Sequence, residues 1–345
     1  MDSLGLPADG RLLPIAATAG GVTVSGVVRS ASRLARILGI DAGGHDPAAS
    51  LAGFVETAVA AGCTAVRAEL APGDATAAAF PAAGFRPILP AVHAAQPRPV
   101  LRFEWRADGG TPRTLPYYAQ TTGFTCGAVA LMLARRRLVP DAPVDRRTEV
   151  ELWRQATTVH APRGPGGCDP FGVACAAARK GLGVRVVSSS AGPFFTGRAY
   201  DEAQLELMRF VQAGFRDEAD ARGVAVETRQ WTHADLAATL SAGGSAIVLI
   251  DQMLFHGEAI PHWVLVHGHV AEGESDGTYA VDDPWVEPPD RETDTDRFDL
   301  PVPAEALDRM AWWGAEPVRA AVLVEGAIVR AFDCVNSGIG PPQSN

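Results

Sequence analysis

Apolar residues recur along this chain at two spacings, and the alternation between them lays out its elements. Strand-length apolar runs stand at Val22–Val28, Ala35–Ile40 and Thr64–Leu70, with helical patterns over Pro47–Ala61 and Asp74–Ala83. Two more strands are expected near Phe85–Leu89 and over Val100–Trp105. The stretch Ala107–Thr114, reading ADGGTPRT, breaks the pattern with Gly, Pro and polar residues and predicts a linker. Beyond it, helices are expected from Cys126, over Val150–Ala156, up to Arg179, over Asp201–Ala221 and over Thr232–Leu240. Strands are expected at Val184–Ser188, Val224–Thr228, Ser245–Asp251, Pro261–His269 and Tyr279–Asp283. The pattern predicts a small α/β domain over 1–111, an α+β domain over 112–331 and a disordered tail over 332–345.

The stretch Tyr117–Arg137, YYAQTTGFTCGAVALMLARRR, changes character at its middle. Its first half is polar and turn-forming, and its second is built of good helix formers. Thr125 is placed to cap the helix, Arg135–Arg137 suit its C-terminal end, and Pro140 stops it. Cys126 then lies on the first helical turn, where unpaired N–H groups and the helix dipole favour a thiolate. Gln120 lies on the entering loop, from which a side-chain amide can reach the spot faced by the Cys126 N–H. The competing reading is that a cysteine in an Ala-rich helix is a small buried hydrophobe.

Charge and composition narrow the partners. A net charge of −10 without basic clusters argues against nucleic acid or an anionic membrane surface. Among the 30 basic residues only Lys180 is a lysine, which reads as coding bias. No apolar run has the ~20 residues of a membrane span, and the N-terminus lacks the pattern of a secretory signal. Five cysteines at irregular spacing make no disulfide framework, so a cytoplasmic location is expected.

His262 opens an apolar strand and follows Cys126 at a distance within the ~130–150 residues of papain-type enzymes. His267 and His269 fall on the opposite strand face from His262, and neither CxxC nor HExxH occurs, so no metal site is expected. His256, Gly257 and Glu258 read as an exposed turn. Cys168, in a glycine-rich loop before Pro170, is read as a wall of the site more than as a nucleophile. Asp283 ends the next strand before Pro284, where an acid can orient an imidazole; an isolated Asp-Pro is otherwise a solvated strand end. Strand alternation allows only one of Asp282 and Asp283 to face His262, and the residue locked by the following proline is the choice.

Taken together, Gln120, Cys126-Gly127, Pro261-His262-Trp263-Val264 and Asp283-Pro284 resemble the bacteriocin-processing cysteine peptidases, peptidase family thirty-nine, a papain-like group. Trp153–Thr158, Gly166–Gly172 and Trp312–Gly314 are similar to segments of its stand-alone members fused behind a GNAT domain. Ala128 departs from the proline common after Cys-Gly. The resemblance implies a papain-like fold with Cys126 as nucleophile, His262 as base, Asp283 as orienter and Gln120 as oxyanion donor. It implies a hydrolase acting on a peptide or amide, serving a partner peptide or biosynthetic enzyme. An acyl or peptidyl transferase using the same thioester, and a peptide-binding scaffold, are the alternatives. The transporter-linked members' membrane and ATPase domains are missing, which does not support bacteriocin export. Residues 62–87 resemble the C-terminal half of a GNAT acetyltransferase, but Asp46 and Pro47 stand where its phosphate-binding turn offers free amides. The resemblance implies a truncated, degenerate GNAT-like domain over 1–111 without acetyl-CoA, and hence no cofactor.

Overall fold

The computed structural model describes residues 12–29, 31–88, 92–93, 99–110, 115–157, 160–161, 164–272, 275–287 and 292–327 of the 345. The expected tail over 332–345 and part of the expected linker, 111–114, lie outside the described residues.

The N-terminal strands β1 (Leu13–Ala19), β2 (Val22–Val28) and β3 (Leu34–Asp41) form an antiparallel meander. Helix α1 (Ala48–Ala60) then crosses over so that β4 (Ala65–Leu70) joins β3 in parallel. After β5 (Arg86–Pro87) and β6 (Val92–His93), β7 (Leu101–Arg106) pairs antiparallel with both β4 and β5. The six-stranded order is β1-β2-β3-β4-β7-β5, and α1 closes one face through Leu51, Phe54 and Ala58. β1 was not foreseen, because its alternation is carried partly by alanine and threonine. The helix expected over Asp74–Ala83 is instead two 3-10 turns, Ala75–Ala79 and Pro81–Ala83. Pro81 supplies no N–H for a continuous ladder.

In the second half, β8 (Tyr117–Tyr118) pairs with β6 and leads into α2 (Cys126–Leu138) and α3 (Arg146–Ala156). A short pair, β9 (His160–Ala161) and β10 (Gly164–Pro165), precedes α4 (Pro170–Arg179) and β11 (Leu182–Ser188). Then come α5 (Glu202–Ala221), β12 (Ala225–Thr228), α6 (His233–Ser241), β13 (Ser245–Asp251) and α7 (Met253–His256). The chain continues through β14 (Pro261–Glu272), β15 (Ser275–Asp282), β16 (Leu300–Pro303), α8 (Ala304–Met310) and β17 (Ala320–Ala327). The seven-stranded sheet runs β12-β11-β17-β13-β14-β15-β16, antiparallel except for β11 with β12.

One face of that sheet, including Ile247, Leu249, Trp263 and Leu265, packs on α2, α3 and α4. The other, including Val248, Ile250, Val264 and Val266, packs on α6 and α8. Cys126 through Ala134 are all buried, so α2 is the central helix. Each fully buried aliphatic side chain contributes about 1.5–3 kcal/mol, which makes the contact of α2 with β14 a rigid frame. At that contact a Cβ on Gly127 would lie 3.1 Å from Trp263 Cδ1 and 3.2 Å from Cys168 Cβ. Glycine after Cys126 therefore permits the close approach.

Candidate active site

Cys126 is the first residue of α2, where its N–H has no carbonyl partner within the helix. Thr125 stands at the cap position but does not cap with its side chain. Its hydroxyl turns instead to Glu149 Oε1 at 2.6 Å. Glu149, wholly buried on α3, also accepts the Thr121 N–H at 2.7 Å, the Thr121 hydroxyl and the Tyr118 hydroxyl. One carboxylate thus ties down the loop that delivers Cys126. Sequence reading passed over it because its partners lie some thirty residues upstream.

His262 is buried at the start of β14 and hydrogen-bonds to Cys126. Its Nε2 lies 2.6 Å from Asp283 Oδ1, which leaves Nδ1 for the thiol. Burial opposes a charged ring, but the Asp283 carboxylate and Cys126 outweigh it and push the imidazole up to about 10. Asp283 is buried too, which favours its neutral form; His256, His262 and Arg297 prevail and hold it well below the usual carboxylate range. Asp282 faces the other way, accepting the Asp299 N–H at 2.8 Å and pairing with His267 at 3.1 Å.

Of the exposed turn expected at residues 256–258, Gly257 and Glu258 are exposed, and His256 is the correction. Gly257 is left-handed and folds the chain back after α7, and the His256 side chain is fully buried. His256 Nε2 lies 2.8 Å from Asp283 Oδ2, and Arg297 Nη2 lies 3.2 Å from His256 Nδ1. A guanidinium only donates, so Nδ1 accepts and Nε2 carries the proton given to Asp283. Arg297 Nη1 at 3.1 Å and the Trp285 N–H at 2.9 Å complete four donors on the carboxylate. Those four match its lone-pair capacity. His256, His262 and Asp283 have ligand atoms within 4.8 Å of one another, the one potential metal group among the described residues. Arg297 and the two ring N–H groups already fill the carboxylate, so the donor set suits a cation poorly.

Gln120 is held to the same assembly. Its backbone N–H donates to the Pro284 carbonyl at 2.8 Å, and its Nε2 donates to the Thr122 carbonyl at 2.7 Å. A side-chain amide has two N–H groups, so one is not used by that bond, and the amide oxygen is buried without a partner. Cys168 is fully buried next to Cys126, its carbonyl taken by Trp263 Nε1 at 2.9 Å. Burial, then the nearness of Cys126 and Asp169, push its thiol well up. Burial likewise raises the Cys63 and Cys175 thiols to about 12.

The structure therefore brings Cys126, His262 and Asp283 into one buried line and fixes Gln120 beside it by backbone. A family model described as the Peptidase C39-like family matches residues 115–325. No curated protein and no solved structure matches the chain.

Proposed function

The chain belongs to the Peptidase C39-like family, and on that premise we propose that it is a cysteine peptidase or amidase acting through Cys126, His262, Asp283 and Gln120. The observation that carries this reading is His262, buried between the Cys126 thiol and the Asp283 carboxylate and pushed up to about 10. A protonated imidazole facing a helix-start cysteine favours a thiolate–imidazolium pair.

The thiolate attacks the carbonyl carbon of a bound amide. The developing oxyanion is held by the Cys126 N–H and the free Gln120 Nε2–H. His262 gives its proton to the leaving amine, and a thioester remains. Water, deprotonated by His262, then releases the acid; an amine acceptor at the same step gives acyl transfer. The thiol chemistry suits a reducing compartment, here the cytoplasm. No described helix is long and apolar enough to cross a membrane.

We read the first 111 residues as a GNAT relative that does not bind acetyl-CoA. The Asp46 carboxylate accepts the Ala48 N–H at 3.1 Å, and Pro47 has no N–H, so the α1 start offers little to a pyrophosphate.

The test is intact-mass analysis with a peptide-based thiol-reactive probe. One adduct is expected on Cys126 and none on Cys126→Ala. An adduct that persists in Cys126→Ala, or maps to Cys63, Cys168 or Cys175, would refute the assignment.

A further inference from the structure

The segment from Glu292 to Asp299 lies between the two sheets and is gripped by arginines of the N-terminal half. Arg29, just after β2, donates to Glu292 Oε1 and lies 3.0 Å from Asp296 Oδ1. Arg67 of β4 donates to the carbonyls of Thr295 at 3.0 Å, Phe298 at 2.6 Å and Asp299 at 3.1 Å. Arg102 reaches the Thr295 hydroxyl at 2.9 Å, and Arg106 reaches Asp299 Oδ2 at 3.3 Å. Arg29, Arg67, Glu292, Asp296 and Arg297 are all buried. From this segment Arg297 turns inward. It bonds Glu292 through Nε at 2.7 Å, Asp283 through Nη1 at 3.1 Å and His256 through Nη2 at 3.2 Å. The Arg297 carbonyl also accepts the Asp283 N–H at 2.8 Å.

A continuous buried path thus runs from Arg29 through Glu292 and Arg297 to Asp283, and on to His262 and Cys126. We propose that the N-terminal domain is an internal clamp for the catalytic centre, with Arg29 and Arg297 as positioning residues for Asp283. The role rests on the cysteine-peptidase reading of Cys126, His262 and Asp283.

Stability alone does not account for this arrangement. Buried ion networks cost desolvation, and well-packed apolar replacements are often equally stable. What a fork of fixed N–H groups supplies, and an apolar contact does not, is direction. Asp283 has to hold one oxygen toward His262 Nε2, and Arg297 and His256 occupy the other. Glu292 sets Arg297, and Arg29 sets Glu292. The clamp therefore explains why the chain buries charge where its two halves meet, and it gives the first hundred residues a task that needs no ligand of their own.

The experiment reads the second-order rate of Cys126 alkylation by iodoacetamide at pH 6, where only a thiolate held by His262 reacts quickly. Arg29→Gln is expected to lower that rate about five- to tenfold, and Arg29→Lys, which keeps the charge, to recover most of it. Arg67→Lys, which loosens the backbone grip from another strand, should also slow the reaction. Arg185→Gln, on β11 next to the edge strand β12 and ion-paired with Glu227 and Glu325, serves as control and should match wild type. Near-UV circular dichroism establishes folding; if Arg29→Gln is not folded, Arg67→Lys decides. Folded Arg29→Gln or Arg67→Lys alkylating at the wild-type rate would overturn the clamp and leave the peptidase reading standing. A wild-type Cys126 no faster at pH 6 than a free thiol would instead remove the peptidase reading.

Discussion

His256 donates its Nε2–H to Asp283 Oδ2 at 2.8 Å, on the opposite carboxylate oxygen from His262. Two imidazoles thus share one acid, and the Arg297 contact to Nδ1 fixes the proton of the second. A glutamine amide reproduces that pattern of one donor and one acceptor. His256→Gln should therefore retain turnover within about threefold, whereas His256→Leu, which leaves Arg297 and Asp283 short of a partner, should lose about tenfold or more. Single-turnover acylation by an activated ester compares the two. Equal activity in both variants would show that Asp283 does not need the second ring.

The neighbouring acids separate cleanly. Asp283→Asn places an NH2 group among four donors and leaves His262 without its carboxylate. Loss of such an acid costs ~10⁴ in turnover in a serine triad. A thiolate–imidazolium pair partly holds its own geometry, so about 10²-fold is expected here. Asp282→Asn should stay near wild type in acylation, because Asp282 serves His267 and the Asp299 N–H. The reverse ranking, or equal mild effects, would take Asp283 out of the site.

Much of this arrangement is legible one residue at a time. The switch from turn formers to Ala, Leu and Met locates Cys126 at a helix start, and period-two alternation separates Asp283 from Asp282. Thr232, of a residue type that caps helices, opens the expected Thr232–Leu240 helix and forms a full capping box with Asp235. What could not be read is whatever depends on distant segments meeting. His256 looks like a turn residue until Asp283 and Arg297 enclose it. Glu149 looks like one more helical acid until four donors converge on it. Arg29 and Arg297, more than 260 positions apart, carry no local signal that one glutamate joins them. The Asp74–Ala83 helix failed for a local reason that was visible, the proline inside it.

Asp169 sets a pH dependence of stability. Burial raises its carboxyl to about 7, against the opposing N–H bonds from Gly172 and Phe171. The folded value lies above the unfolded ~3.9, so the folded state holds a proton that the unfolded chain releases. Its contribution is complete below about pH 4 and is lost as pH rises to about 7. His262, also raised, loses its contribution later, from about 6.5 toward 10. Wild type should therefore weaken between pH 5 and pH 8 in urea unfolding, and Asp169→Asn should weaken less over that interval. Parallel curves for the two proteins would mean that Asp169 is ionised throughout.

Gln120 offers the sharpest separation of binding from chemistry. Its backbone is fixed to Pro284 and its amide to Thr122, so the loop does not depend on the spare N–H to which the proposed function assigns the oxyanion. Gln120→Ala removes that donor and leaves the Pro284 bond intact. A donor that acts only on the tetrahedral oxyanion stabilises the transition state more than the bound amide. The turnover number should then fall about 10²–10³-fold with KM nearly unchanged. Gln120→Glu, which presents a carboxylate to an oxyanion, should be at least as slow. The pH 6 alkylation rate of Cys126 should stay near wild type in Gln120→Ala, because alkylation forms no oxyanion. A fall in alkylation matching the fall in turnover would instead make Gln120 a support for the Cys126 loop, with the oxyanion held elsewhere.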